Sequence, residues 1–355
     1  MQSARRARVI AGPWVFLASF LCASMPLAAV AVDWNGASGV DSNWSTAGNW
    51  VGGVAPAIAN TTVVTFGAAG TTFAPIADAP WTINRLDLTG ATPYLLTGGL
   101  ITFDGAAPQL NLSGGAHAIA NDLSLASDLA FTNAIDLTIT GQLSGLGGIS
   151  KSGPGRLTMA NFLMYSGQTT VNGGTLQIGN GVVGPTGFFV PVVDNATIEF
   201  AGSGAAIVLG AGLVGSGDVV VSGGVVQSPG LAMEHAGSTT ISGGQLTATV
   251  LNNGPLTIAA PGLFESGDST VGSLAGAGRL DSNGTAVTVG GDGTSTTFSG
   301  TLAGLGGLTK VGAGRFTMAN FLMYSGQTTV NGGTLQIGNG VVGPTGFFVP
   351  VVDNA

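Results

Sequence analysis

Gly267-Asp268-Ser269-Thr270 is the stretch of this 355-residue chain that most resembles a reactive centre. A serine beside aspartate becomes a nucleophile when an imidazole takes its proton and a carboxylate orients the imidazole. The histidines available for that role are His117 and His235. No second glycine follows the serine, and Gly-Asp-Ser is also a common turn, so a turn is the expected reading. Two histidines without cysteine partners make a weak metal site. Carboxylates clustered with a basic residue or Ca²⁺ on one face would suit polysaccharide cleavage. Here Asp122, Asp128 and Asp136 are dispersed at loop-like positions and read as solvated. Arg156, Arg279 and Arg315 share the context G-[PA]-G-R-[LF], which points to stacking or solubility rather than unique chemistry.

G-x-G-x-x-G occurs at Gly179, Gly210 and Gly338, but no instance opens a helix in a βαβ unit, as a phosphate loop requires. "GGDGTSTTF" from Gly290 occurs once and lacks the second aspartate of a calcium-binding repeat. No catalytic residue, cofactor-binding residue or metal ligand is therefore assigned. The aromatic group Trp34, Trp44, Trp50 and Trp81 offers two readings. Exposed, it would stack on sugars; buried, it would close the open N-terminal edge of a stacked fold, and the cap is expected.

The elements that would position these residues are strands. Glycine numbers 62, charged residues fall to 7%, and no segment beyond the N-terminal region has a sustained helical period. In "TTVNGGTLQI", Val171, Leu176 and Ile178 can face one side and Thr170, Thr175 and Gln177 the other, with Asn172-Gly173-Gly174 bending the path. "LDLTG" from Leu86, "IDLTIT" from Ile135 and "DVVVSG" from Asp218 repeat the theme. Thr158 to Ala196 is identical to Thr317 to Ala355, an offset of 159 residues, and an apolar-[STN]-Gly-Gly echo recurs at spacings as short as 16 and 20. Asn-Gly between alternating strands also suits antiparallel hairpins in a sandwich. Repetition favours coils of about 20 residues, so the expected fold is all-β, a right-handed parallel β-helix roughly 75 Å long.

Arg5, Arg6 and Arg8, the apolar run Val9 to Leu21, and Ala29-Val30-Ala31 read as a cleaved secretory signal over residues 1–31. The one cysteine, Cys22, lies inside it, so no disulfide is expected in the exported chain. Removal of the signal leaves six basic residues against seventeen acids, a net charge of −11, which argues against nucleic acid or anionic lipid as a partner.

"GLGGLTKVGAGRFTMANFLMYSGQTTVNGGTLQIGNG" resembles the autotransporter-associated β-strand repeat, also called the passenger-associated transport repeat. The resemblance covers 145–181 and 304–340, with a looser version at "GSLAGAGRLD" from Gly272. "MANFLMYSG" departs from the family's Ser-, Gly- and Asn-rich approach to the tyrosine. The Trp- and Asn-rich start from Asp33 also looks like the opening of such passengers.

The resemblance implies a structural, adhesin-like passenger of a type V secretion system. Its partners would be the export machinery and an outer-membrane β-barrel, its location the cell surface or the medium, and its ligand a host-surface or glycan group. The repeats would assist translocation and folding. The expected division is a signal over 1–31, a cap and first coils over 32–144, the first repeat over 145–181, further coils over 182–303, the second repeat over 304–340 and a partial coil over 341–355. No C-terminal β-barrel is expected within this chain. The second copy stops at Ala355 where the first runs on into "TIEF", so a longer protein is expected. The competing reading is a carbohydrate-active β-helix enzyme, a polysaccharide lyase or hydrolase.

Overall fold

A short strand with apolar residues at every second position buries one face only if another strand covers it. In the computed structural model, which describes residues 30–284, 286–320, 322–341 and 349–355, each strand is covered by the one about a coil further along. Ile149 pairs with Thr169 and Leu143 with Leu163, both 20 residues on. The result is a parallel β-solenoid of about 14 turns, which at ~4.8 Å per turn is on the order of 70 Å long.

Three strands make a coil. The first sheet stacks Leu129–Asn133, Ile149–Ser152, Thr169–Val171 and Val192–Asp194. The second stacks Leu137–Ile139, Arg156–Met159, Thr175–Ile178 and Thr197–Ala201. The third stacks Leu123–Leu125, Leu143–Gly145 and Leu163–Tyr165. Where coils tighten to an offset of 18 residues, as between Leu246 and Phe264, the corners lose their loops. One strand, Gln245–Ile258, then runs through all three sheets.

These pairings are parallel, so Asn172-Gly173-Gly174 turns a corner and does not reverse the chain. Gly174 has φ +63°, and a Cβ there would sit 2.5 Å from the carbonyl oxygen of Gly155 in the coil before. Only glycine lets the corners nest this closely. Val171, Leu176 and Ile178 are fully buried while Thr170, Thr175 and Gln177 face outward, as the alternation predicts.

The duplication is commensurate with this stacking. Successive partners from Ser150 are Thr170, Val193, Val214, Glu234, Asn252, Thr270, Thr288 and Thr309. The 159-residue offset is therefore eight whole coils, and both copies keep the same phase in all three sheets.

Corner aspartates link coils. Within one turn, Asp122, Asp128 and Asp136 accept the backbone N–H of Gln142 at 2.8 Å, Gly148 at 2.7 Å and Arg156 at 2.8 Å. These carboxylates are exposed, as expected, yet each takes a specific place in the stack.

At the N-terminal end the tryptophans form the cap. Trp34, Trp44, Trp50 and Trp81 are all buried, and Trp34 and Trp44 meet Trp50 edge-on at 5.1 and 6.1 Å. Asn49 holds the wrapping loop: its amide donates to Asp41 and to the Asn43 carbonyl, and its oxygen accepts from Ser38 N–H. None of these four indoles offers a face to a sugar. The expected signal lies outside the described residues except for Val30 and Ala31, which begin the strand Val30–Asp33 paired with Thr62–Phe66.

The twin positions Leu176 and Leu335 carry the same residue in the same phase, fully buried in one copy and half-buried in the other. Leu176→Ala should cost about 2–4 kcal/mol and Leu335→Ala about 1 kcal/mol, because only the first leaves a closed cavity. Thermal melting and hydrogen exchange on the two variants check the difference.

Candidate functional site in the duplicated coils

The stretch around Ser269 is structural. The Ser269 hydroxyl accepts the Leu251 N–H at 3.1 Å and the Ser266 hydroxyl at 2.7 Å. His235 turns elsewhere, with Nδ1 at 3.2 Å from the Gly217 carbonyl oxygen and Nε2 at 3.0 Å from Thr239 Oγ1. His117 accepts the Tyr94 N–H on Nδ1 and directs Nε2 at the Ser113 carbonyl, so it carries its proton on Nε2. Burial pulls both imidazoles below their usual pKa. The serine and the histidines are not brought together. Among the described residues no three His, Cys, Asp or Glu side chains gather at a distance that would hold a metal.

The duplicated coils concentrate the unusual chemistry. In "ISKS" the alternation that turns Ile149 inward turns Lys151 inward too, and this lysine is fully buried. Its ladder neighbours are Phe131 and Val171. The ammonium reaches the corner, where it donates to the carbonyls of Gly173 at 2.6 Å and Gly153 at 3.3 Å. Lys310 repeats the arrangement, donating to Val311, Gly312 and Gly332 at 2.6, 2.9 and 3.0 Å. A buried cation is tolerated when its protons find acceptors, and here corner carbonyls of two successive coils supply two for Lys151 and three for Lys310. Burial lowers the Lys151 pKa to about 8, partly offset by the charge of Asp136, and also lowers that of Lys310.

Tyr165 closes the next corner. Its ring is buried and its hydroxyl lies 2.6 Å from Thr169 Oγ1; Tyr324 and Thr328 repeat the contact at the same distance. The departure "MANFLMYSG" leaves this anchor in place and forms the strand Leu163–Tyr165. Its effect is on the outside, where Phe162 and Met164 are 53% and 65% exposed.

Arg156 lies outward on the second sheet and donates to Gln177 and Glu199, one and two coils on; Ser222 donates to the same Glu199. Arg315 makes the corresponding bond to Gln336 at 3.2 Å. Arg279 is on the third sheet and pairs with Asp281, so its "GAGR" is out of phase with the other two. All three arginines serve the surface of the stack.

These coils coincide with what comparison finds. The passenger-associated-transport-repeat family matches residues 149–178 and 308–337. The chain carries two copies of this repeat. The looser stretch at Gly272 lies outside both matched windows, in keeping with its different phase. Over 254 residues the chain is 29% identical to the Adhesin BmaC autotransporter of Brucella suis biovar 1 (strain 1330), covering 56% of this chain and 7% of that protein. The chain thus spans less than a tenth of the length of the curated relative it matches. No solved structure matches it.

Sequence reasoning passed over two buried residues, Lys151 in the first transport repeat and Asp194 beyond its end. Lys151 was legible from its phase with Ile149. Asp194 was not: it ends "PVVD" at an inward position, two rungs beyond Lys151, and its Oδ2 has no hydrogen-bond partner. Burial raises its pKa from 3.8 to about 6, with Asp218 adding to the rise.

The two groups give opposite pH slopes. Between pH 3.8 and about 6 the folded chain holds a proton on Asp194 that the unfolded chain has lost, so stability falls as pH rises. Between about 8 and 10.5 the unfolded chain holds a proton that Lys151 has lost, so stability rises with pH. Melting temperatures across pH should show Asp194→Asn flattening the acid slope alone and Lys151→Met the alkaline slope alone.

Proposed function

We propose that this chain is part of an adhesin-like autotransporter passenger, exported to the cell surface, whose transport repeats act in translocation and folding. The observation that carries the reading is the recurrence of one buried Lys-corner-Tyr arrangement eight coils apart, in the two windows that the family matches. A rod that only needed length could use any coil; these two retain the same residues inside and out.

The physics of export suits the composition. Apart from Cys22 the chain has no cysteine, and charged residues are 7%, so an unfolded segment meets no covalent crosslink and few strong charges in transit. Each coil that folds outside covers the apolar face of the one before, and solenoid stability grows by such nearest-neighbour terms. A repeat whose corner is held by a lysine bonding two coils at once favours completion of the second coil when the first is formed.

An outer-membrane barrel and the export machinery are the partners that this family implies. The proposed ligand is a host-surface or glycan group met by the outer faces of the rod. We read the chain as non-enzymatic: Ser269 and the histidines are taken up in corner contacts, and Asp122, Asp128 and Asp136 in inter-coil bonds.

Deletions of whole coils separate a transport role from rod length. Removing residues 308–327 takes one coil from the second repeat in register, since Leu308 pairs with Thr328; removing 213–232 takes one coil outside the repeats, since Leu213 pairs with Met233. Protease accessibility of the passenger on intact cells should fall several-fold for the first deletion and little for the second. Equal surface yields would remove the transport role.

A further inference from the structure

The stretch "MANFLMYSG" puts large apolar side chains on the outside of the stack. Outward positions of the third sheet carry Thr82, Thr102, Ser124 and Ser144 in four successive coils, and the next is Met164. Phe162 stands on the same face two residues before it. Leu146, beside Ser144 on the coil below, is 81% exposed and completes an apolar patch. The second copy repeats the patch, with Leu305 and Met323 79% and 59% exposed. The two patches share a sheet and lie eight coils apart, about 38 Å.

Between them the outward rank turns polar, running Gln227, Thr247, Glu265, Asp281, Ala303 and Met323. From the exposed fractions each patch presents on the order of 300 Å² of apolar surface. One patch pressed on a matching one buries about 600 Å², the size of a crystal contact, whereas two at once bury about 1,200 Å², where specific interfaces begin. A partner must therefore offer two apolar patches at the same spacing, and a second copy of this chain does so by construction.

Charge selects the direction. In a parallel pair Glu265 would face Glu265 of the second copy, which is unfavourable for a chain of net charge −8. In an antiparallel pair turned about an axis at Thr247, four coils from either patch, Glu265 faces Gln227 and Met164 faces Met323. We propose that the two patches are the lateral interface for a second copy of this chain, in an antiparallel two-fold dimer that engages both at once. The arrangement is isologous, so it closes at two chains. It depends on residues where this chain departs from the repeat family's usual sequence, and it holds or fails independently of any transport role.

The test is sedimentation velocity of the purified chain over a concentration series, where a monomer–dimer equilibrium is expected. Met164→Asp and Met323→Lys should each weaken dimerisation about tenfold or more, because either one places a charge in both apolar contacts. Mixed in equal amounts, the two variants should recover a heterodimer, since one contact then joins the two new charges and the other is natural. Both substituted side chains are more than half exposed, and circular dichroism checks that the fold is kept. A natural chain that stays monomeric, or variants that associate as the natural chain does, as contact through a rod end would, overturns the proposal. A mixture that binds no tighter than its components overturns it as well, because a parallel dimer gains nothing from the exchange.

Discussion

Backbone hydrogen bonding between successive coils is the interaction on which everything else here depends. Each strand in the interior donates and accepts along the rod axis, so a coil is satisfied only when all three of its strands meet the coil below in register. That demand explains the glycines. At Gly141 a Cβ would lie 1.8 Å from the Asn121 carbonyl oxygen, and at Gly147 2.2 Å from that of Ser127. It also explains why Asp122, Asp128 and Asp136 recur at corners, where strand pairing pauses and a carboxylate can bond a backbone N–H.

The inward ladder through Phe131, Lys151, Val171 and Asp194 shows how that register tolerates polar groups. Side chains alternate across a strand, so a one-residue slip would turn Ile149 and Lys151 outward together and leave their coil without its inner face. The buried ammonium adds a second condition, since it is at rest only when the corner carbonyls of Gly153 and Gly173 are both in reach. Asp194 has no comparable set of partners for its second oxygen, and this is why one inward charge is well placed and the other strained.

Much of this was legible in the sequence. Val171, Leu176 and Ile178 declare their face by alternation, and the recurrence of "VNGG" and its relatives declares the coil. Parallel pairing was less direct, because Asn-Gly-Gly equally signals a hairpin; only the repetition distinguished the two. The tryptophans announced a cluster, and its burial followed from the need to close an end. What could not be read were contacts that exist only once coils are stacked. Nothing local to Asp136 reveals that Arg156 N–H will lie above it, and nothing in "VVDNA" reveals that Asp194 turns inward without a partner for Oδ2. Arg279 shows the converse: it shares its local context with Arg156 and Arg315, yet tighter coils between the copies carry it to another sheet.

Because the inter-coil bonds run along the rod axis, a pull on the two ends meets them one layer at a time. The load opens the terminal rung as a zipper opens and does not shear many bonds at once. Each rung released frees about 20 residues, on the order of 70 Å of slack, nearly the length of the folded rod itself. A rod stacked in this way gives up its length layer by layer, each step set by the bonds of a single coil.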